Sequence, residues 1–120
     1  MKTMSAIAVV LFAIPLTANA ATWERIKTET QLLEVVAGKQ FSTKNGWWEI
    51  RSDGSMVGIL KGDELRGAWK WDKGAWCRNY VFKGKEKKTN CQHVWSSGNQ
   101  VRFKKDRGQG DEDIQTLVAK

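Results

Sequence analysis

Two cysteines, one histidine and seven tryptophans are the residues of this 120-residue chain whose chemistry or bulk asks for an explanation. Free, Cys77 and Cys91 would be nucleophiles, metal ligands or a redox pair. There is no Cys-x-x-Cys, and His93 is the only histidine, so neither a redox pair nor a zinc site has the local sequence it needs. Nucleophilic catalysis would require a base beside a serine or cysteine, and no Gly-x-Ser-x-Gly turn is present. Joined, the cysteines are a staple, the normal fate of two cysteines in an exported chain. If Trp76–Phe82 and Asn90–Trp95 form a hairpin centred on Gly84, residues equidistant from Gly84 face each other. Cys77 and Cys91 each lie seven residues from it, so they pair across the strands. Among the carboxylates, Asp53, Asp63 and Asp72 sit beside turn glycines, where aspartate bonds its own backbone. Asp111-Glu112-Asp113 lacks the spaced ligands of a calcium loop and reads as a solvated turn. No catalytic residue, metal ligand or cofactor is expected.

The tryptophans are Trp23, Trp47, Trp48, Trp69, Trp71, Trp76 and Trp95. They either fill a small interior with large flat rings or line a cavity for a small apolar ligand. Trp47 and Trp48 are adjacent, so on one strand they point to opposite faces and only one can enter a single-sheet core. Trp47, Trp48, Trp69, Trp71 and Trp95 form the candidate ligand-binding set. Basic residues gather in Lys83, Lys85, Lys87 and Lys88 at the expected hairpin tip, and in Arg102, Lys104, Lys105 and Arg107 near the end. They blunt exposed edges, or bind an anion if Lys83, Lys85, Lys87, Lys88, Arg102 and Lys104 converge.

The elements that must hold these groups are mostly strands. Thr28 to Gly38 reads as one short helix, capped by Thr28 or Thr30, with Leu32, Leu33, Val35 and Val36 as its apolar stripe and Gly38 as its stop. From Lys39 onward, turn signals such as Asn45-Gly46, Asp53-Gly54 and Gly98-Asn99 recur about every ten residues. The runs between them, 47–51, 56–60, 65–71, 76–82, 90–95, 101–105 and 114–119, read as strands. In one of them Leu65, Gly67, Trp69 and Trp71 share a face, opposed by Arg66, Ala68 and Lys70. The expected fold is mainly β: a small antiparallel meander closed as a lipocalin-like or calycin-like barrel, or folded as a sandwich, with one short N-terminal helix and one disulfide.

Residues 1–20 have a basic start at Lys2, an apolar stretch from Ala6 to Leu16 and the ending Ala18-Asn19-Ala20, which is the pattern of a secretory signal peptide. The apolar run is shorter than the roughly 20 residues that cross a bilayer. No cysteine follows Ala20 to carry a lipid, so the reading is an exported, periplasmic and soluble chain cleaved near Ala20, with residues 21–120 as a single domain and no membrane span. The formal charge of +7 falls to +6 when Lys2 is lost. An exported protein of this charge meets anionic lipid, wall polymers and acidic proteins, and nucleic acid is not an expected partner.

The pieces Asp53-Gly54, Gly67-Ala68-Trp69-Lys70-Trp71, Trp76-Cys77-Arg78, Cys91-Gln92, Val101-Arg102-Phe103 and Asp106-Arg107-Gly108-Gln109-Gly110 resemble a family of small uncharacterised exported proteins of Gram-negative bacteria. The resemblance runs from about Gly38 to the end. Some members carry the label dihydrodipicolinate reductase. This chain gives that activity no chemical support, since it has no Gly-x-Gly-x-x-Gly turn and no strand-helix-strand repeat. The resemblance implies an exported β-domain and brings no catalytic residue with it. The expected function is a non-enzymatic binding module holding a small apolar or amphipathic ligand. The alternative is an envelope-protein partner, bound by a module such as a hydrolase inhibitor.

Overall fold

The computed structural model describes residues 22–120. The leader pattern and its cleavage point lie outside the described residues. Nine strands and two helical segments follow in the order β1 (Glu24–Ile26), α1 (Glu29–Val36), β2 (Lys39–Thr43), β3 (Gly46–Ile50), β4 (Ser55–Leu60), β5 (Asp63–Asp72), β6 (Ala75–Phe82), β7 (Lys85–Ser97), β8 (Gln100–Lys104), α2 (Lys105–Gly108) and β9 (Glu112–Ala119). Every neighbouring pair is antiparallel. β7 pairs with both β6 and β8, which closes β2 to β9 into an eight-stranded barrel rather than a sandwich.

The turns sort the barrel into two ends. The β3–β4, β5–β6 and β7–β8 turns lie at one end with α1, and the β2–β3, β4–β5 and β6–β7 turns lie at the other with the segment 105–111. Three of these are Lys-Gly turns, Lys61-Gly62, Lys73-Gly74 and Lys83-Gly84, with positive φ at both residues, the twist that matches paired strands. Thr28 caps α1 by accepting from the Gln31 N–H at 3.2 Å. Leu32 and Val36 are the buried side of the helix, and they seal their end of the barrel beside Ile26, Val94 and Val101 in one core. Exclusion of water by this plug is the main thing the helix contributes.

Inside, alternation works as expected. Leu65 and Trp69 are buried while Glu64, Arg66, Ala68 and Lys70 are exposed. Trp48 faces in and is buried, whereas Trp47 faces out and is only half-buried. Two inward glycines sit directly opposite aromatic residues: Gly58 opposite Trp48 and Gly67 opposite Tyr80. Outside, Glu49 is buried at the α1 end, where Arg51 and Lys120 reach its carboxylate at 2.8 and 2.5 Å. Burial alone would raise this carboxyl, but the bonds from Lys120 and Arg51 prevail and hold it below its ordinary value.

The disulfide joins Cys77 and Cys91, which are direct partners on β6 and β7 with Cα atoms 3.9 Å apart. The route to that pairing needs a correction. The hairpin turn is Lys83-Gly84, not a turn centred on Gly84, so Phe82 faces Lys85 and Tyr80 faces Lys87. A β-bulge between Arg78 and Tyr80 then shifts the register by one residue and brings the cysteines opposite each other. Three elements were also missing from the sequence reading: β1, β2 and α2. β1 takes over the β6 edge of β7, pairing with Val94–Ser96 beyond the point where β6 begins.

Candidate functional site

The barrel end away from α1 opens into a cavity of about 200 Å³. Its floor is aromatic. Trp48, Trp76 and Phe103 come from β3, β6 and β8, with the Trp76–Phe103 ring centroids 5.1 Å apart and Trp48–Phe103 5.9 Å apart. Phe41 stacks beneath Trp48 at 4.1 Å. Met56, Leu60 and Leu65 make an apolar wall from β4 and β5. The rim is polar: Arg78, Tyr80, Lys105, Asp113 and Gln115, with Gln92 buried deeper on β7.

The rim groups are not equivalent. Trp48 donates its indole N–H to Gln115 Oε1 at 3.4 Å, and Gln115 Nε2 donates to Asp113 Oδ2 at 2.6 Å. That chain fixes the Asp113 side. The indole N–H of Trp76 is buried with no hydrogen-bond partner among the described residues, a state that costs about 1–3 kcal/mol. Arg78 donates one N–H to the Lys88 carbonyl at 3.1 Å and lies over the Tyr80 ring at 5.0 Å. Burial pulls its guanidinium below the usual arginine value. No carboxylate pairs with Arg78 or Lys105 among the described residues.

The candidate tryptophans are scattered by the fold. Trp48 lines the cavity, as proposed for the set. Trp69 is inside but donates its indole N–H to the Arg51 carbonyl at 2.9 Å, at the α1 end, and Trp71 is also on the inner face there. Trp47 and Trp95 are on the outer face. Trp76, which the sequence reading left out of the ligand set, is in the floor.

The basic residues do not form one patch. Lys83 sits on the turn and pairs with Asp63 at 3.6 Å. Lys85, Lys87 and Lys88 lie on the first half of β7, whose second edge has no strand partner among the described residues, where lysine blocks pairing with another chain. The Arg102 guanidinium lies between the rings of Trp95 and Trp23, at 4.5 and 4.9 Å, with Glu112 at 3.0 Å from its Nε. Arg25 covers Trp95 as well, at 5.1 Å. Arg102 is thus committed to an outer cation–π stack, and Lys104 lies opposite His93 on the neighbouring strand. Asp113 is also corrected: it is the second residue of β9 and stands on the cavity rim, not in a free turn.

His93 lies outside the barrel with Cys91 and Trp95, and the segment after β8 folds across it. Asn90 and Asp106 exchange two hydrogen bonds, of 2.7 and 3.1 Å, and Arg107 reaches Asp72 at 2.8 Å. A Cβ on Gly108 would come within 2.6 Å of His93 Nδ1. Burial holds the imidazole below its ordinary value, and Arg25 and Arg107 push the same way. The unfolded chain therefore takes up this proton first. Above about pH 6.5 the group has no effect on stability, and as pH falls through that value the protein loses stability until the folded histidine also protonates. Replacing His93 with Gln should flatten the thermal-melt dependence between about pH 7 and 5, and equal slopes for the two proteins would refute the assignment. No cluster of potential metal ligands occurs among the described residues.

Comparison with protein-family models, curated proteins and solved structures finds no match to the chain. The class is therefore defined by the geometry alone: a small closed antiparallel barrel, plugged by a helix at one end and open to an aromatic-floored cavity at the other.

Proposed function

We propose that this is an exported, non-enzymatic binding module that holds a small apolar or amphipathic molecule in the mouth of its barrel. The observation that carries the reading is the cavity itself, whose floor and wall are Trp48, Trp76, Phe103, Met56 and Leu65. A closed barrel can fill its interior with side chains, as the α1 end does, so open apolar space at the other end is a departure that needs a use. A space of 150 Å³ takes benzene, so about 200 Å³ suits a body of roughly seven or eight carbons. The export part of the reading is supported by the pattern of residues 1–20 and by a disulfide in a small domain.

At about 0.8 kcal/mol per buried CH₂, a seven-carbon chain gains some 5–6 kcal/mol, which places the expected Kd near 0.1 mM for an uncharged ligand. Native mass spectrometry of protein purified gently from the periplasm should show a bound small molecule. Titration with 1-octanol should change the tryptophan emission with that affinity, because two tryptophans form the floor. A clean ligand-free mass together with unchanged emission would remove the proposal.

A further inference from the structure

The apolar floor explains why a ligand enters but not which end of it faces out. The rim answers that with charge. Arg78 follows Trp76 on the inward face of β6, so its side chain lines the same cavity as the aromatic floor. It is half-buried, has lost part of its hydration, and spends one N–H on the Lys88 carbonyl. A guanidinium has five N–H donors in a fork that matches a carboxylate. Stacking on Tyr80 holds that fork at the mouth, and Lys105 stands on the same rim. Neither cation has an acidic partner within ion-pair distance among the described residues, whereas Arg51, Arg66, Arg102 and Arg107 each have one.

The one acid on the rim limits the charge of what binds. Asp113 lines the cavity and is held in place by Gln115. Two cations and one carboxylate favour a single negative charge and work against a second. We propose, building on the cavity reading above, that the ligand is a small amphipathic monoanion, with its apolar body on Trp48, Trp76 and Phe103 and its carboxylate held by Arg78 with Lys105.

Calorimetric titration of the intact, disulfide-bonded protein with octanoate, 1-octanol and octyl phosphate at low salt separates the possibilities. Octanoate should bind at least about tenfold more tightly than 1-octanol, the usual worth of a charge-assisted hydrogen bond. Octyl phosphate, carrying close to two charges at neutral pH, should bind more weakly than octanoate. Arg78→Gln should abolish the preference, so that this variant binds octanoate and 1-octanol with equal affinity, and Arg78→Lys should restore part of the difference. Equal affinity for octanoate and 1-octanol in the wild-type protein overturns the head-group assignment while leaving the cavity reading intact. Tighter binding of octyl phosphate than of octanoate overturns the single-charge assignment. No binding of any of the three overturns this proposal and the cavity reading together.

Discussion

Alanine at Gly67 is expected to destabilise the protein by about 3 kcal/mol, a fall in melting temperature of roughly 10 °C or more for a domain of this size. The glycine is not there for its backbone angles. It faces inward on β5 directly opposite Tyr80, and a Cβ added to it would come within 2.7 Å of the Tyr80 Cβ while also striking the Asn79 carbonyl. Both obstacles belong to a paired strand, so relief requires moving β6 away from β5. Gly58 repeats the arrangement opposite Trp48, where an added Cβ would lie 2.6 Å from the Trp48 Cβ. Gly58→Ala should therefore behave like Gly67→Ala. Gly62→Ala is the control: nothing lies within 4 Å of its added Cβ, and its cost is only the left-handed backbone, about 1–2 kcal/mol. Thermal melts of the three variants check this. If the Gly67 and Gly58 variants melt no lower than the Gly62 variant, the close approach is not what the inward glycines serve.

The second large effect is loss of the staple. Cys77→Ser with Cys91→Ser, or reduction of the bond, should lower stability by about 3 kcal/mol in the chain-entropy view of a loop of this length. The two cysteines are 14 residues apart. In urea this is a midpoint shift of about 1–3 M, with a slope equal to or steeper than the wild type's, because the uncrosslinked unfolded chain exposes more surface. Coincident unfolding curves with and without reductant would refute the estimate. The staple joins positions that face out of the barrel, next to the inward Trp76 and Gln92, so it borders the cavity without lining it. The doubly substituted protein, while folded, should bind 1-octanol as the wild type does, which separates support of the barrel from recognition of the ligand.

Much of the architecture was legible because strand alternation is a local property. Leu65, Trp69 and their opposing charges declared a half-buried strand, Thr28 or Thr30 marked a helix start that the structure assigns to Thr28, and Trp47 beside Trp48 had to split between faces. The cysteine pairing was readable too, although its derivation skipped two one-residue details, the position of the turn and the bulge, whose effects cancel at the cysteines. β1 and β2 escaped because each offers one fully buried apolar residue, Ile26 and Phe41, within an otherwise polar run. The cavity escaped for a different reason. Its floor joins residues 48, 76 and 103, and no local pattern reports that distant strands meet when a sheet closes. Arg78 was the available signal: Trp76, Arg78 and Tyr80 alternate onto one face, and a cation on an aromatic face is out of place. Grouping basic residues by their runs along the chain hid it, whereas grouping them by strand face would have exposed it.

The pairing of β1 with β7 bears on the order in which the chain is assembled. Arg25 faces Trp95 across that pair, a separation of 70 residues by number. Closing a loop of that length costs more chain entropy than closing a hairpin, so the local β6–β7 pair has an interval in which to form before β1 finds β7. During that interval α1 has a barrel end neither to seal nor to lean on, and a helix of eight residues is marginal by itself. The segment 24–36 is therefore expected to join the barrel after the β6–β7 hairpin, whose partners are neighbours in the chain, so that the plug is a late addition to a barrel already taking shape.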